Sequence, residues 1–261
     1  MGQQEHKATA RALNILEYLS NNSEGHTLTE IANALDAPKS SIWPILHTLE
    51  SHGFIRVSPQ NANHYCIGPY AFVVGSSYSS NLPFYEYLNE KMKKMVAVID
   101  ETSQLAILSE NDVLYLLRSD SKNPITLRSQ VEKRLPAYCT GLGKALLSQF
   151  SLEELKQRYP DGLKIYTPQT LPTVEALYQQ ILETRQTGFA YEHSELVEGV
   201  HCVAVPLYNG PHLIAAVSFS MPAYRATEEK IKLAQNLLMD FKKDVEGKFV
   251  RFHISSGLDI I

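Results

Sequence analysis

Three apolar stripes recur at helical spacing in the first fifty residues. Ala12, Ile15, Leu16 and Leu19 fall at i, i+3, i+4 and i+7, and the polar run from Asn21 to Gly25 ends that helix. Leu28, Ile31, Ala32 and Leu35 repeat the stripe behind Thr27 and Glu30, whose spacing is that of a capping box. Ile42, Ile45, Leu46 and Leu49 repeat it again between Pro38 and Gly53. Two apolar-leaning runs, 54–57 and 64–67, then flank the turn-forming segment 59–63 and predict a small hairpin. Three short helices followed by a hairpin make a winged helix-turn-helix, the third helix of which enters the major groove of double-stranded DNA. An ordinary helical subdomain has the same stripes. Pro44 lies inside the third stripe, where it removes one hydrogen bond and clashes with the preceding turn. With Ser41 as N-cap that penalty largely vanishes, so a shortened or kinked third helix is expected.

Beyond Ile67 the pattern is mixed. An apolar start that turns polar predicts a linker helix over 69–82, leading to a boundary near Asn81-Leu82-Pro83. Leu88, Met92, Met95 and Ile99 then share one helix face, and apolar strands are expected at 105–108, 113–117 and 125–127. Helices are expected at 141–150, 152–159, 174–186 and 227–245, around strands at 200–207 and 213–219. The fold class is therefore α+β: a winged helix-turn-helix over 1–68, the linker, and a domain over 83–261 on one antiparallel sheet.

Composition narrows the class without naming a function. The 261 residues are 44% apolar and 20% charged, which excludes disordered and collagen-like chains. No apolar run is long enough to span a bilayer and the first residues are polar, so a soluble chain with no signal peptide and no membrane partner is expected. Three cysteines at wide spacing, Cys66, Cys139 and Cys202, point to a reducing, cytoplasmic setting. The net charge of −4 suggests no particular partner. Residues 1–82 hold Lys7, Arg11, Lys39 and Arg56 against Glu5, Glu17, Glu24, Glu30, Asp36 and Glu50, a formal −2 that opposes duplex binding. On the outward side of the third helix, Lys39, Ser40, Ser41, Trp43 and His47 are nonetheless suited to phosphates or base edges.

Candidate chemistry elsewhere is sparse. Gly141-Leu142-Gly143-Lys144-Ala145 lacks the first glycine and the magnesium-binding hydroxyl of a phosphate loop. Cys139, Cys202, His193 and His201 lack zinc-site spacing, and neighbours on a strand, such as His201 and Cys202, point to opposite faces. No metal, cofactor or catalytic residue is expected, and the chain reads as a non-enzyme.

The segments 10–17, 28–32, 38–41, 46–50 and 53–55, with Tyr65-Cys66-Ile67-Gly68-Pro69, resemble the winged-helix domain of IclR-type transcriptional regulators. Asp36 stands where that family often has glycine, and Pro44 where it usually has an arginine that contacts DNA. The run 135–147, then Gly188, Glu195, Cys202, Val203, Ala204, Leu207, Tyr208 and Asn209, resembles the family's second domain, with Glu192 in place of the usual aspartate. The resemblance implies a repressor-like regulator whose second domain, related in fold to GAF and PAS modules, binds a small organic effector, often an acid. It also implies a homodimer or dimer of dimers. Its pocket positions correspond to Gly141, Leu142, Glu192, Val200, Cys202, Ser218 and Ser220, and Arg56 falls on the wing, near phosphate. Gly141 and Leu142 would offer helix-start amides to a carboxylate, Ser218 and Ser220 would hold the ligand's other end, and the longer Glu192 would shrink or redirect its side of the pocket. Read from the residues alone, Gly141 serves equally as a turn and the serines as a polar seam. The alternative function is a small-molecule sensor with weakened DNA binding that acts through protein contacts.

Overall fold

A computed structural model of the chain describes residues 6–20, 22, 24–76, 82–123 and 134–260. The chain divides into two compact units, Met1–Ser80 and Asn81–Ile261.

In the first unit α1 (Lys7–Ser20), α2 (Leu28–Ala34) and α3 (Lys39–Ser51) bury the expected stripes in one core of Ile15, Leu19, Ile31, Ala32, Ile42 and Leu46, closed by Ile55. The Thr27 hydroxyl accepts the Glu30 amide and the Glu30 carboxylate accepts the Thr27 amide, so both orphan donors at the start of α2 are satisfied. A two-residue strand, β1 (His26–Thr27), pairs with β3 (His64–Ile67), which pairs in turn with β2 (Ile55–Val57) to complete the wing. Asp36, in the turn between α2 and α3, has φ +43, the left-handed region where glycine is at no disadvantage.

Of the shortened or kinked third helix expected, the shortening is not found. Pro38, at φ −59 and ψ 138, is the N-cap, and α3 runs from Lys39 through Pro44 to Ser51. Ser41 is not the cap: its hydroxyl donates to the Pro38 carbonyl at 2.7 Å. Pro44 is tolerated because Ser40, whose carbonyl it leaves without a helical donor, is exposed and open to water. A short helix, α4 (Pro69–Ser76), covers part of the expected linker.

The second unit is a six-stranded antiparallel sheet in the order β6-β5-β4-β9-β8-β7, formed by β4 (Thr102–Ser109), β5 (Asp112–Ser119), β6 (Leu135–Pro136), β7 (Ala190–His193), β8 (Val200–Asn209) and β9 (His212–Pro222). The strand expected at 125–127 lies outside the described residues. One sheet face packs Leu105, Val203, Val205, Val217 and Phe219 against α5 (Leu82–Ile99) and α9 (Glu228–Glu246). The opposite face meets α6 (Gly141–Leu147), α7 (Leu152–Arg158) and α8 (Val174–Thr187) through Ala106, Ala190, Ala204 and Ala216. Small residues there let α6 approach closely: a Cβ on Gly141 would lie 3.7 Å from the Ala204 Cβ, and one on Gly143 would sit 2.0 Å from the carbonyl oxygen of Ala137 in the turn before α6. Helix α6 ends at Leu147 rather than Phe150, and α8 closes on Gly188 at φ 82, a left-handed cap.

Candidate functional site

Two surfaces, one in each unit, hold the residues singled out from the sequence. On α3 the side chains of Lys39, Ser40, Trp43 and His47 are exposed, and Ser41 is half-buried with its hydroxyl engaged at Pro38. Trp43 is 55% exposed and stacks on His47 with ring planes 4° apart. A tryptophan on the outer face of a helix, one turn from an exposed lysine and outside the unit's core, is costly surface unless something covers it. Arg56 projects from β2 on the wing and is exposed.

In the second unit the α6 side of the sheet changes from apolar to polar along its length. Ala106 and Ala216 lie opposite each other; next come Gln104, Ser218 and Ala204, then Thr102, Ser220, Cys202 and Glu192, each row running across paired strands. A β-bulge between Leu105 and Ala106 shifts the β4–β5 register, so Ala106 faces Tyr115 and keeps that ring on the α6 side. Gly141 opens α6 directly over this face, and a Cβ there would lie 3.1 Å from the Cys202 Cβ. Thr140 caps the helix by accepting the Gly143 amide, and Leu142 is buried beside it.

The polar groups are joined in a chain. The Cys202 thiol donates to Glu192 Oε2 at 2.8 Å and lies 3.2 Å from the Ser220 hydroxyl, which donates to Gln104 Oε1 at 3.1 Å. Glu192 Oε1 accepts the Glu195 amide, so the longer side chain is turned back onto its own loop. Burial pushes the Glu192 carboxyl up to about 7. Burial and the Glu192 carboxylate together hold the Cys202 thiol well above the usual thiol range, which makes it a poor nucleophile. Ser218 is buried, and its hydroxyl has no hydrogen-bond partner among the described residues. Val200, at the start of β8, is half-buried and pairs with Pro222.

Sequence reasoning missed three parts of this arrangement: Gln104, Tyr115, and a buried ion pair between Lys144 and Glu195 at 2.5 Å, with Gln180 as a further acceptor for the lysine. Lys144 stood in the GLGKA run but carried no sign of its partner, 51 residues away. His193 and His201 stack edge to face at 4.8 Å, and no group of three metal-ligating side chains forms among the described residues. No helix among them is long and apolar enough to cross a membrane.

Residues 76–246 match the family model described as "Bacterial transcriptional regulator IclR C-terminal", and residues 8–59 match "IclR helix-turn-helix domain". The HTH-type transcriptional repressor AllR of Salmonella typhimurium is 29% identical over 241 residues, covering 92% of this chain and 88% of that protein. Its counterpart from Escherichia coli K12 is 28% identical over the same length, covering 92% and 89%. Among solved structures, an IclR transcriptional regulator from Alicyclobacillus acidocaldarius superposes with a TM-score of 0.82 at 25% identity, covering 94% of this chain and 99% of that one. An IclR homologue from Microbacterium hydrocarbonoxydans, complexed with 4-hydroxybenzoate, superposes at 0.77 with 21% identity, covering 92% and 99%.

Proposed function

Because the chain belongs to the IclR family of bacterial transcriptional regulators, with a helix-turn-helix DNA-binding domain and a C-terminal effector-binding domain, we propose a specific division of labour among its residues. The exposed face of α3 (Lys39, Ser40, Trp43 and His47) reads the duplex, and Arg56 of the wing meets phosphate. The polar face beneath α6 binds a small organic acid, its carboxylate toward Gly141 and Leu142, its body against Val200, Cys202 and Glu192, and its polar end on Ser218. The chain works as a homodimer or dimer of dimers, so that two winged helices engage paired half-sites.

The observation that carries this reading is the contrast between the two units. A bulky ring and a lysine stay in solvent on α3, whereas serine, cysteine and glutamate are buried together under Gly141. The first arrangement suits a charged macromolecule and the second a small polar molecule. An effector controls DNA binding only if it binds the DNA-competent and incompetent states with different affinity. Selection from random duplexes should enrich one sequence motif. Against that motif, Lys39→Ala should weaken binding to all sequences and flatten the salt dependence by about one unit of slope. An unchanged slope removes Lys39 from the interface. If no motif is enriched, the second reading stands instead: a sensor acting through protein contacts, favoured by Pro44 and the formal −2 of residues 1–82.

A further inference from the structure

Of the two serine hydroxyls that β9 brings to the site proposed above, one is spent and one is unclaimed. Ser220 donates to Gln104 and lies against the Cys202 thiol, so its hydroxyl is spent within the sheet. Ser218, one step along the same face, is 1% exposed and its hydroxyl is unpaired among the described residues. A buried hydroxyl without a partner costs stability unless something else satisfies it. Across the sheet, the bulge in β4–β5 turns Tyr115 onto the same face. Its phenol is pushed up by burial and by the neighbouring Cys202, Glu192 and Cys139, which lie on β8, on β7 and just before α6. Tyr115 pairs with Ala106, which pairs with Ala216, two residues before Ser218 on β9, so the ring sits on the α6 face in the row next to Ser218. The residue keeps some accessible surface although it lies deep in the unit, and its hydroxyl has no hydrogen-bond partner among the described residues.

We infer that Tyr115 is a specificity-determining residue of the effector site, and that its hydroxyl and that of Ser218 together grip an oxygen-bearing group at the end of the ligand opposite its carboxylate. The inference rests on the effector reading above and adds to it a ligand class: an acid with a hydroxyl at the far end, in preference to the plain acid. Two hydroxyls on one face can each donate or accept, so a ligand hydroxyl that reaches both gains two bonds, whereas a methyl or a bare ring edge leaves both protein groups unpaired. A site built to bond a hydroxyl rejects its deoxy analogue strongly for that reason.

Matched pairs test this directly: 3-hydroxypropionate against propionate and 4-hydroxybenzoate against benzoate, titrated by calorimetry into the full chain and into Tyr115→Phe and Ser218→Ala. The expected result is that the wild type prefers the hydroxylated member of at least one pair by roughly 10-fold. In Tyr115→Phe that preference should shrink to within about 2-fold while affinity for the deoxy acid is kept. If Tyr115→Phe retains the preference, or the wild type binds both members equally, Tyr115 does not select and the inference falls while the acid-effector reading survives. If the wild type binds none of the four acids, the acid-effector reading fails and the inference with it. The ligand-free proteins supply an independent arm. Neither variant should melt more than about 2 °C below wild type, because the hydroxyl removed has no partner in the fold. A larger loss for Tyr115→Phe would mean that the hydroxyl already serves the structure, and would overturn the assignment.

Discussion

Glu192 shows how burial changes the chemistry of a carboxyl. A carboxylate here is buried with no cation of its own, because the nearby Lys144 is held by Glu195 and Gln180. It therefore keeps its proton up to about 7, against an ordinary value of 4.5. Below 4.5 folded and unfolded chains are both protonated there, and the site costs nothing. Between 4.5 and 7 the unfolded chain releases the proton and the folded chain holds it, so stability is lost as pH rises, levelling off above 7. The full effect is on the order of 3 kcal/mol. Glu192→Gln, which cannot ionise, should remove that part of the fall. Urea midpoints at intervals from pH 4 to pH 8 should show the variant gaining on wild type across this window. A difference that stays flat with pH would mean that Glu192 is ionised in the native state like any exposed glutamate.

At the scale of elements, α3 is the informative case. Pro44 removes the amide that would bond the Ser40 carbonyl, yet Pro38 starts the helix early and the helix continues through it. Pro44→Ala should therefore stabilise the first unit by roughly 1–3 kcal/mol, since the interior bond is regained and the ring clash relieved. Chemical denaturation of the full chain, followed by Trp43 fluorescence, would measure it; no gain would mean that α3 has already relaxed around the proline. The elements that were legible in the sequence were those with a local signature: the three stripes, the Thr27–Glu30 box and the hairpin. The elements that were not legible are short or depend on partners. β1 and β6 have two residues each, too few for any period, and exist because β3 and β5 offer edges to pair with. The site divides the same way. Ser218 and Ser220 could be placed on one face by alternation, but the bulge that aims Tyr115 depends on how β4 and β5 register, and Lys144 meets Glu195 only through the fold.

For the whole molecule, the family's two-domain plan makes a thermodynamic demand that no single contact can meet. Whatever factor an effector imposes on duplex affinity, the duplex must impose on effector affinity, because both ligands bias one equilibrium. The buried polar face under α6 and the exposed face of α3 share no described residue, so any coupling has to come from a change in the populations of two arrangements. Take the acid that most raises the melting temperature and the duplex recovered by selection. Measure the duplex Kd with and without saturating acid, by anisotropy, and the acid Kd with and without saturating duplex, by calorimetry. The two ratios should agree and lie in the range of about 5- to 150-fold, the span of ordinary coupling free energies. Ratios of one in both directions would mean that the acid binds without governing DNA, leaving a pocket and a winged helix on one chain with no link between them.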